Sequence, residues 1–316
     1  MLLYSTGPIM LQGSAVSGPV FSFWRLWIGA AFLTTLGVVT TLVGGRPVTT
    51  KASGWRWQVI AGVFFGIHQL MFMSAVKMTT VVDVALMNAL APIVTAIGAW
   101  WLFSERPGKG FYAWSLLAIA GGGYLALGAS AGPSGNAGGM VLAVLNVVFF
   151  AGFFLASKSS RDSIAVVPFL AGVMVVAAIV VTIFVLVAKV PVGSVRSTDL
   201  LLAACVALGP GALGHFVMTW PLRWVPANIP PVMRLAQPAL SGVLAFAVLG
   251  ERLTLTHLIG GLIIVAGAAG AINSRAGKGL RNAAQEQPAQ TVDNSLRTSR
   301  ALRTPTGKPA VSTTTR

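Results

Sequence analysis

Apolar runs follow one another along this chain with few interruptions. Ten spans stand out, at 2–16, 18–44, 57–76, 81–103, 111–129, 139–157, 166–188, 199–220, 227–249 and 256–273. Most reach the 18 or so apolar residues that cross a bilayer about 30 Å thick as a helix. None shows the period-two alternation, in segments of about 10 residues, of a membrane barrel. The pattern predicts an all-α membrane protein with ten transmembrane helices. The first span is short for a full crossing and lacks the charged leader of a signal peptide. Either the chain start falls inside that helix or the helix is itself short.

The polar positions inside these runs repeat. Met87-Asn88, Pro92 and Glu105-Arg106 return 146 residues later as Met233-Arg234, Pro238 and Glu251-Arg252. Lys77 and Arg223, Ala99 and Ala245, and Gly121 and Gly267 keep the same offset. An internal repeat in a membrane chain points to a transporter with its site near mid-membrane. With five spans in each copy, an odd number, the second copy enters the bilayer in the opposite sense. The expected organisation is a first five-helix repeat at 1–129, an external linker at 130–138 and a second five-helix repeat at 139–273. A disordered, basic cytoplasmic tail at 274–316 follows, rich in Thr, Ser, Gln, Ala and Arg.

Composition sharpens this. Only 9% of residues are charged and the mean hydropathy is +0.80, against about 25% charged in a soluble domain. The net charge of +15 suggests nucleic acid at first sight, but its distribution argues against that partner. With the N-terminus inside, the inner loops carry Arg46, Lys51, Arg56, Arg106, Lys109, Lys158, Arg161 and Arg223, and the tail carries eight more cations. The outer loops carry Lys77, Lys189, Arg196 and Arg252. This asymmetry places both termini in the cytoplasm of a multi-pass protein of the inner or plasma membrane. Cys205 is the single cysteine, so no internal disulfide forms. Cys and His are too few and too scattered for a structural zinc site, and no Walker-type phosphate loop is present. No cofactor is expected.

Two motifs carry a family resemblance. One is Pro19 followed by Arg25 near the start of the second span. The other is the duplicated mid-helix proline with a glutamate 13 residues on, Pro92 to Glu105 and Pro238 to Glu251. Over about residues 7–273 the chain resembles the EamA-like transporter family of the drug/metabolite transporter superfamily. That resemblance implies ten helices in two inverted five-helix repeats. It implies a central cavity lined mainly by the first, third, fourth, sixth, eighth and ninth helices. It further implies transport of small metabolites, often export, driven by exchange or by protons as coupling ion. The truncated first helix departs from the family pattern.

Candidate site residues follow from depth and polarity. Arg234 lies roughly 6 Å from the midplane at 1.5 Å rise per residue. A cation there is costly, so it reads as an anchor for a carboxylate or phosphate, or as a snorkelling side chain. Asn88 is its repeat mate, and Gln237 lies one turn from it. His68 and His215 are near repeat mates and are potential proton carriers. Asn146 is a further polar wall candidate. Pro92 and Pro238 free the carbonyls of Asn88 and Arg234 and are hinge candidates. Asp83 and Arg25, placed near the outer ends of their helices, form a candidate gate pair. Glu105 and Glu251 are gate or coupling candidates, each expected to pair with the adjacent arginine because a carboxylate at a helix C-terminus opposes the helix dipole.

The reading is a secondary-active transporter, an exporter or exchanger, that moves a small metabolite such as an amino acid or related organic compound by alternating access. It acts as a monomer or a homodimer. The rival is an integral-membrane enzyme acting on a lipid-linked or phosphorylated substrate. Such enzymes need clustered Asp, Glu or His, and this sequence has no Asp-x-x-Asp or His-x-x-x-His pair.

Overall fold

The computed structural model describes residues 2–44, 52–103, 109–131, 136–160, 163–224, 234, 237–251, 253–271 and 273–274. These form ten helices and no strand among the described residues. We number them α1 (Leu2–Gln12), α2 (Gly18–Gly44), α3 (Ala52–Met78), α4 (Val81–Phe103), α5 (Lys109–Ala131), α6 (Ala137–Ser160), α7 (Val166–Val187), α8 (Ser197–Arg223), α9 (Gln237–Leu249) and α10 (Leu255–Ala271). Six of them, α2, α3, α4, α6, α7 and α8, are long and apolar enough to cross a membrane. The helix α1 has 11 residues, roughly 16 Å at 1.5 Å rise. Outward-facing apolar side chains, such as Leu186, Val187, Leu116, Leu262 and Phe246, are exposed, as expected where lipid is the solvent.

The core is built by α3, which packs along both α6 and α7, while α2 also lies on α7. The approach of α3 to α7 depends on Gly62 and Gly66, one turn apart. A Cβ on either would fall within 3.0 Å of the Val176 or Val180 side chain. Small residues at this spacing let membrane helices come close enough for dispersion contacts, which stand in for the absent hydrophobic drive. Phe65, Phe150, Phe153, Phe154 and Phe169 fill the resulting centre and are essentially fully buried. The glycine-rich faces of α5 and α10 meet in the same way: Gly121 lies against Ile263, and Gly267 against the Ala118 backbone.

One end of the bundle is closed by polar contacts. Thr80 caps α4 by accepting the Asp83 N–H at 3.1 Å, and Asp83 Oδ2 accepts the hydroxyls of Thr79 and Thr80 at 3.0 and 2.7 Å. The other carboxylate oxygen lies 3.2 Å from His257 Nε2 on α10. His257 Nδ1 accepts the Thr254 N–H at 3.0 Å, which assigns the ring proton to Nε2 and lets it donate to Asp83. Glu251 Oε1 accepts the Val81 N–H at 3.1 Å. Its carboxylate therefore sits on the positive end of α4, which is what offsets its unfavourable place at the end of α9. At the same end, Lys77 donates to the Ser14 carbonyl at 2.7 Å, the Ala15 N–H donates to Asp199 at 2.8 Å, and Trp24 Nε1 donates to the Val192 carbonyl at 3.1 Å. Glu105, with Arg106 and Arg252, lies outside the described residues.

His257→Ala removes the ring N–H that a buried carboxylate accepts. We expect it to lower stability by about 1–3 kcal/mol, read as a drop in thermal unfolding temperature in detergent micelles. An unchanged temperature would mean that the Asp83 contact contributes nothing to the closed end.

Candidate functional site

A polar site lies inside this apolar bundle. Its wall is formed by Tyr4, Gly7 and Pro8 of α1, Arg25 of α2, His68, Gln69, Phe72 and Met73 of α3, Phe150 of α6, Val206, Pro210 and His215 of α8, and Arg234 with Gln237 at the start of α9. On α3 the contributing positions are i, i+1, i+4 and i+5, which is one face of a helix. The α8 contribution depends on a break in regularity. From Ala207 to Gly214 the helix widens to π form around Pro210, a feature common at functional sites. Gly211 lies in that segment, and a Cβ there would stand 3.4 Å from Arg25 Nη2 and 2.8 Å from the Val206 carbonyl. The tight contact is with the Val206 carbonyl, so this widened turn of backbone favours glycine.

Both arginines are deeply buried, Arg25 at 4% and Arg234 at 5% exposure. Each is held along one edge by an amide. Arg25 Nη1 donates to Gln69 Oε1, and Arg234 Nε donates to Gln237 Oε1 at 2.9 Å. The Arg234 guanidinium also lies over two rings, with Cζ 5.0 Å from the Tyr4 centroid and 4.4 Å from that of Phe150, positions that attract a cation. His68 stacks on Phe150 at 4.4 Å, and His215 meets Phe65 edge-on at 4.8 Å and Tyr4 at 5.4 Å. Arg25 Nε, Arg234 Nη1, Tyr4 Oη and the Nδ1 atoms of both histidines are buried without a hydrogen-bond partner. The space between these groups is about 30 Å³, on the scale of one water molecule. The walls leave little free space between them.

The structure thus brings together Arg234, Gln237, His68 and His215. It places Asn88 and Asn146 beside this group, bonded to each other. Asn146 Nδ2 donates to Asn88 Oδ1 at 2.9 Å, and Asn88 Nδ2 donates to the Val84 carbonyl at 3.0 Å. Arg25 and Asp83 do not pair, contrary to the gate expected from sequence. Arg25 lies seven residues into α2, roughly 10 Å below its start, and faces the central site. Asp83 stays at the end of the bundle with His257. Glu251 likewise takes the Val81 N–H, while its expected partner Arg252 is outside the described residues.

The two prolines differ. Pro92 follows an interruption at Ala89-Leu90 that divides α4 into Val81–Asn88 and Ala91–Phe103. Around it the backbone tightens to i−3 bonds, Ala89 to Leu86, Leu90 to Met87 and Ile93 to Leu90, all at 3.0 Å, because Pro92 has no N–H to give the Asn88 carbonyl. Pro238 instead stands in the first turn of α9, where the missing N–H costs little. The segments on its N-terminal side, 225–233 and 235–236, lie outside the described residues.

Tyr4, Gln69, Arg25 as a central residue, and His257 were not singled out for these places by sequence reasoning. Gln69 carried a signal, as a second polar residue beside His68 in an apolar run. So did His257, because Thr254-x-x-His257 has the spacing of a helix cap. Tyr4 carried none. Among the described residues, no three His, Cys, Asp or Glu side chains converge as metal ligands do.

The profile of the EamA-like transporter family matches residues 1–126 and again residues 137–273. The chain belongs to the EamA-like transporter family. A relative, the uncharacterized transporter YwfM of Bacillus subtilis (strain 168), is 25% identical over 279 residues, covering 84% of this chain and 90% of its own. A solved crystal structure superposes with a TM-score of 0.63 at 21% identity, over 85% of this chain and 92% of the other, and shows the shared fold. As an EamA-like transporter the chain is a multi-pass membrane protein of a non-enzymatic family, and small molecules are the substrates that this family implies.

Proposed function

We propose that this EamA-like protein is a secondary-active exporter or exchanger that carries a small acidic metabolite, an amino acid or related organic acid, by alternating access. The observation that carries the reading is the pair of arginines, Arg25 and Arg234, buried in the middle of the bundle with unpartnered N–H groups. A buried cation in a membrane is costly and marks a substrate path. The closed site fits an occluded step, since one end of the bundle is latched by the Asp83–His257 and Glu251–Val81 contacts.

The inverted repeat, 1–129 against 139–273, supplies the two-state geometry. The packing supports it, because α1 lies on α9 as α6 lies on α4, and α3 lies on α7 as α8 lies on α2. The charge asymmetry of the loops supports a cell-membrane orientation with both termini cytoplasmic, so the latched end faces outward and the linker at 130–138 is external. The residues at 274–316 then form the cytoplasmic tail. Protons remain the candidate coupling ion.

The test is counterflow in proteoliposomes against a metabolite panel, with and without a pH gradient. Saturable exchange is expected, and its absence for every compound while the protein is folded would overturn the transporter reading. In the same assay Pro92→Ala is expected to slow exchange about tenfold, since a continuous α4 loses the pivot that its unbonded carbonyl provides. A wild-type rate would make Pro92 a static kink.

A further inference from the structure

We infer that the central site takes an organic anion bearing two negative charges, such as a dicarboxylate or a phosphate monoester, in preference to a zwitterionic amino acid. The inference rests on the transporter reading above and narrows its substrate class. It comes from where the acidic residues stand. The chain has seven acidic residues. Asp83 is committed to His257, Glu251 to the Val81 N–H and Asp199 to the Ala15 N–H, all away from the cavity wall. Glu105, Asp162, Glu286 and Asp293 stand between or after the apolar spans of the sequence and lie outside the described residues. The stretch 225–236 that leads into α9 holds no acid at all. Among the described residues, no carboxylate neutralises Arg25 or Arg234.

Gln69 and Gln237 do not change that balance. Their carbonyl oxygens are neutral, and they orient the guanidiniums while leaving Arg25 Nε and Arg234 Nη1 to donate into the site. Tyr4 Oη adds a further unpartnered group. Guanidinium edges bind carboxylate and phosphate oxygens through paired, charge-assisted hydrogen bonds. Two such edges in a low-dielectric site are neutralised by a dianion, while a monoanion leaves one positive charge uncompensated. An amino acid brings an ammonium group that would lie beside two guanidiniums, with no carboxylate to receive it. The rest of the wall includes His68 and His215 and an apolar part, with Phe72, Phe150, Met73 and Val206, which suits the carbon skeleton joining the two acidic groups.

The test uses the purified full-length protein in micelles and in proteoliposomes at pH 8. The probes are inorganic phosphate, glycerol phosphate, malonate, succinate and glutarate as dianions, lactate as a monoanion and alanine as a zwitterion. At least one dianion is expected to raise the unfolding temperature and to exchange, at least tenfold better than lactate, with no response to alanine. R25Q and R234Q are each expected to reverse that preference at least tenfold toward lactate, because one fixed charge then remains. This reversal is a readout that misfolding cannot produce. A response to alanine matching that of the dianions, a dianion panel with no response, or an unchanged dianion-to-lactate ratio in both variants would overturn the inference. Exchange of alanine alone would still leave the transporter reading standing. Stabilisation by a dianion without exchange would instead keep the site and remove transport.

Discussion

Arg234→Met is expected to yield a protein that inserts, melts at a higher temperature than the wild type and no longer moves its native substrate. Two effects of opposite sign meet at this residue. The guanidinium is 5% exposed, is held by one amide and lies on two aromatic faces. None of these partners carries a negative charge. A cation at the middle of a membrane helix costs about 2.5–3.5 kcal/mol on insertion scales, and the Tyr4 and Phe150 rings return part of that, about 0.5–2 kcal/mol. A methionine of similar length fills the space without the charge and is compatible with the same aromatic neighbours. The net expectation is a gain of about 1 kcal/mol in stability. Transport should fall at least a hundredfold, about 3 kcal/mol, because the charge-assisted bonds to substrate disappear. Arg234→Lys, which keeps the charge but not the fork, should retain weak transport. Thermal unfolding and proteoliposome exchange on the same preparation decide the matter. A destabilised variant would show that Arg234 is there for packing, and a transporting one would show that it does not touch the substrate.

The second large effect falls at Gly18. This residue opens α2 directly against the end of α3. A Cβ would come within 2.7 Å of Met73 C, Met73 O and Ser74 N, which are backbone atoms with no side-chain freedom to move aside. Gly18→Ala must push α2 away from α3, and α2 carries Arg25 toward the central site. Overpacking of this kind costs about 1–3 kcal/mol and sometimes more, so poor yield and a lowered unfolding temperature are expected. Gly123→Ala is the control, because a Cβ there meets nothing within 4 Å. Alanine in that open helical position should be neutral or stabilising by about 0.5–1 kcal/mol. Equal behaviour of the two variants would show that α2 and α3 do not approach as closely as the structure has them.

These expectations separate what could be read along the chain from what could not. The helices were legible because each apolar run is its own signal. In a bilayer every span must satisfy its backbone internally, so length and apolarity are enough to call a helix. The kink at Pro92 was legible for a similarly local reason, since a proline removes a bond from its own helix. Arg234 and the two histidines stood out because polar side chains at mid-span are costly and rare.

Partners were not legible. Arg25 and Asp83 looked like a pair because both were placed near helix ends. The choice was made by Gln69, which draws Arg25 inward, and by His257, which holds Asp83 from α10, 174 residues away. Glu251 next to Arg252 suggested a local ion pair, yet its carboxylate caps α4, 170 residues distant. Tyr4 gave no signal, because a tyrosine in an apolar helix has no marked cost until its neighbours are known. The widening of α8 around Pro210 showed in sequence only as Gly209-Pro210-Gly211.

By itself, then, the sequence determined that this is an all-helical membrane protein, where its helices run and which polar side chains are carried into the bilayer. These are properties of single segments set by the energetics of transfer into lipid. The tertiary structure decided which of those side chains meet. It brought Arg25 of α2 and Arg234, just before α9, to one site, and it kept every described carboxylate away from both. Electrostatic and hydrogen-bond contacts act over a few ångströms in space, while Arg25 and Arg234 lie 209 positions apart along the chain, so only packing could bring them to one site.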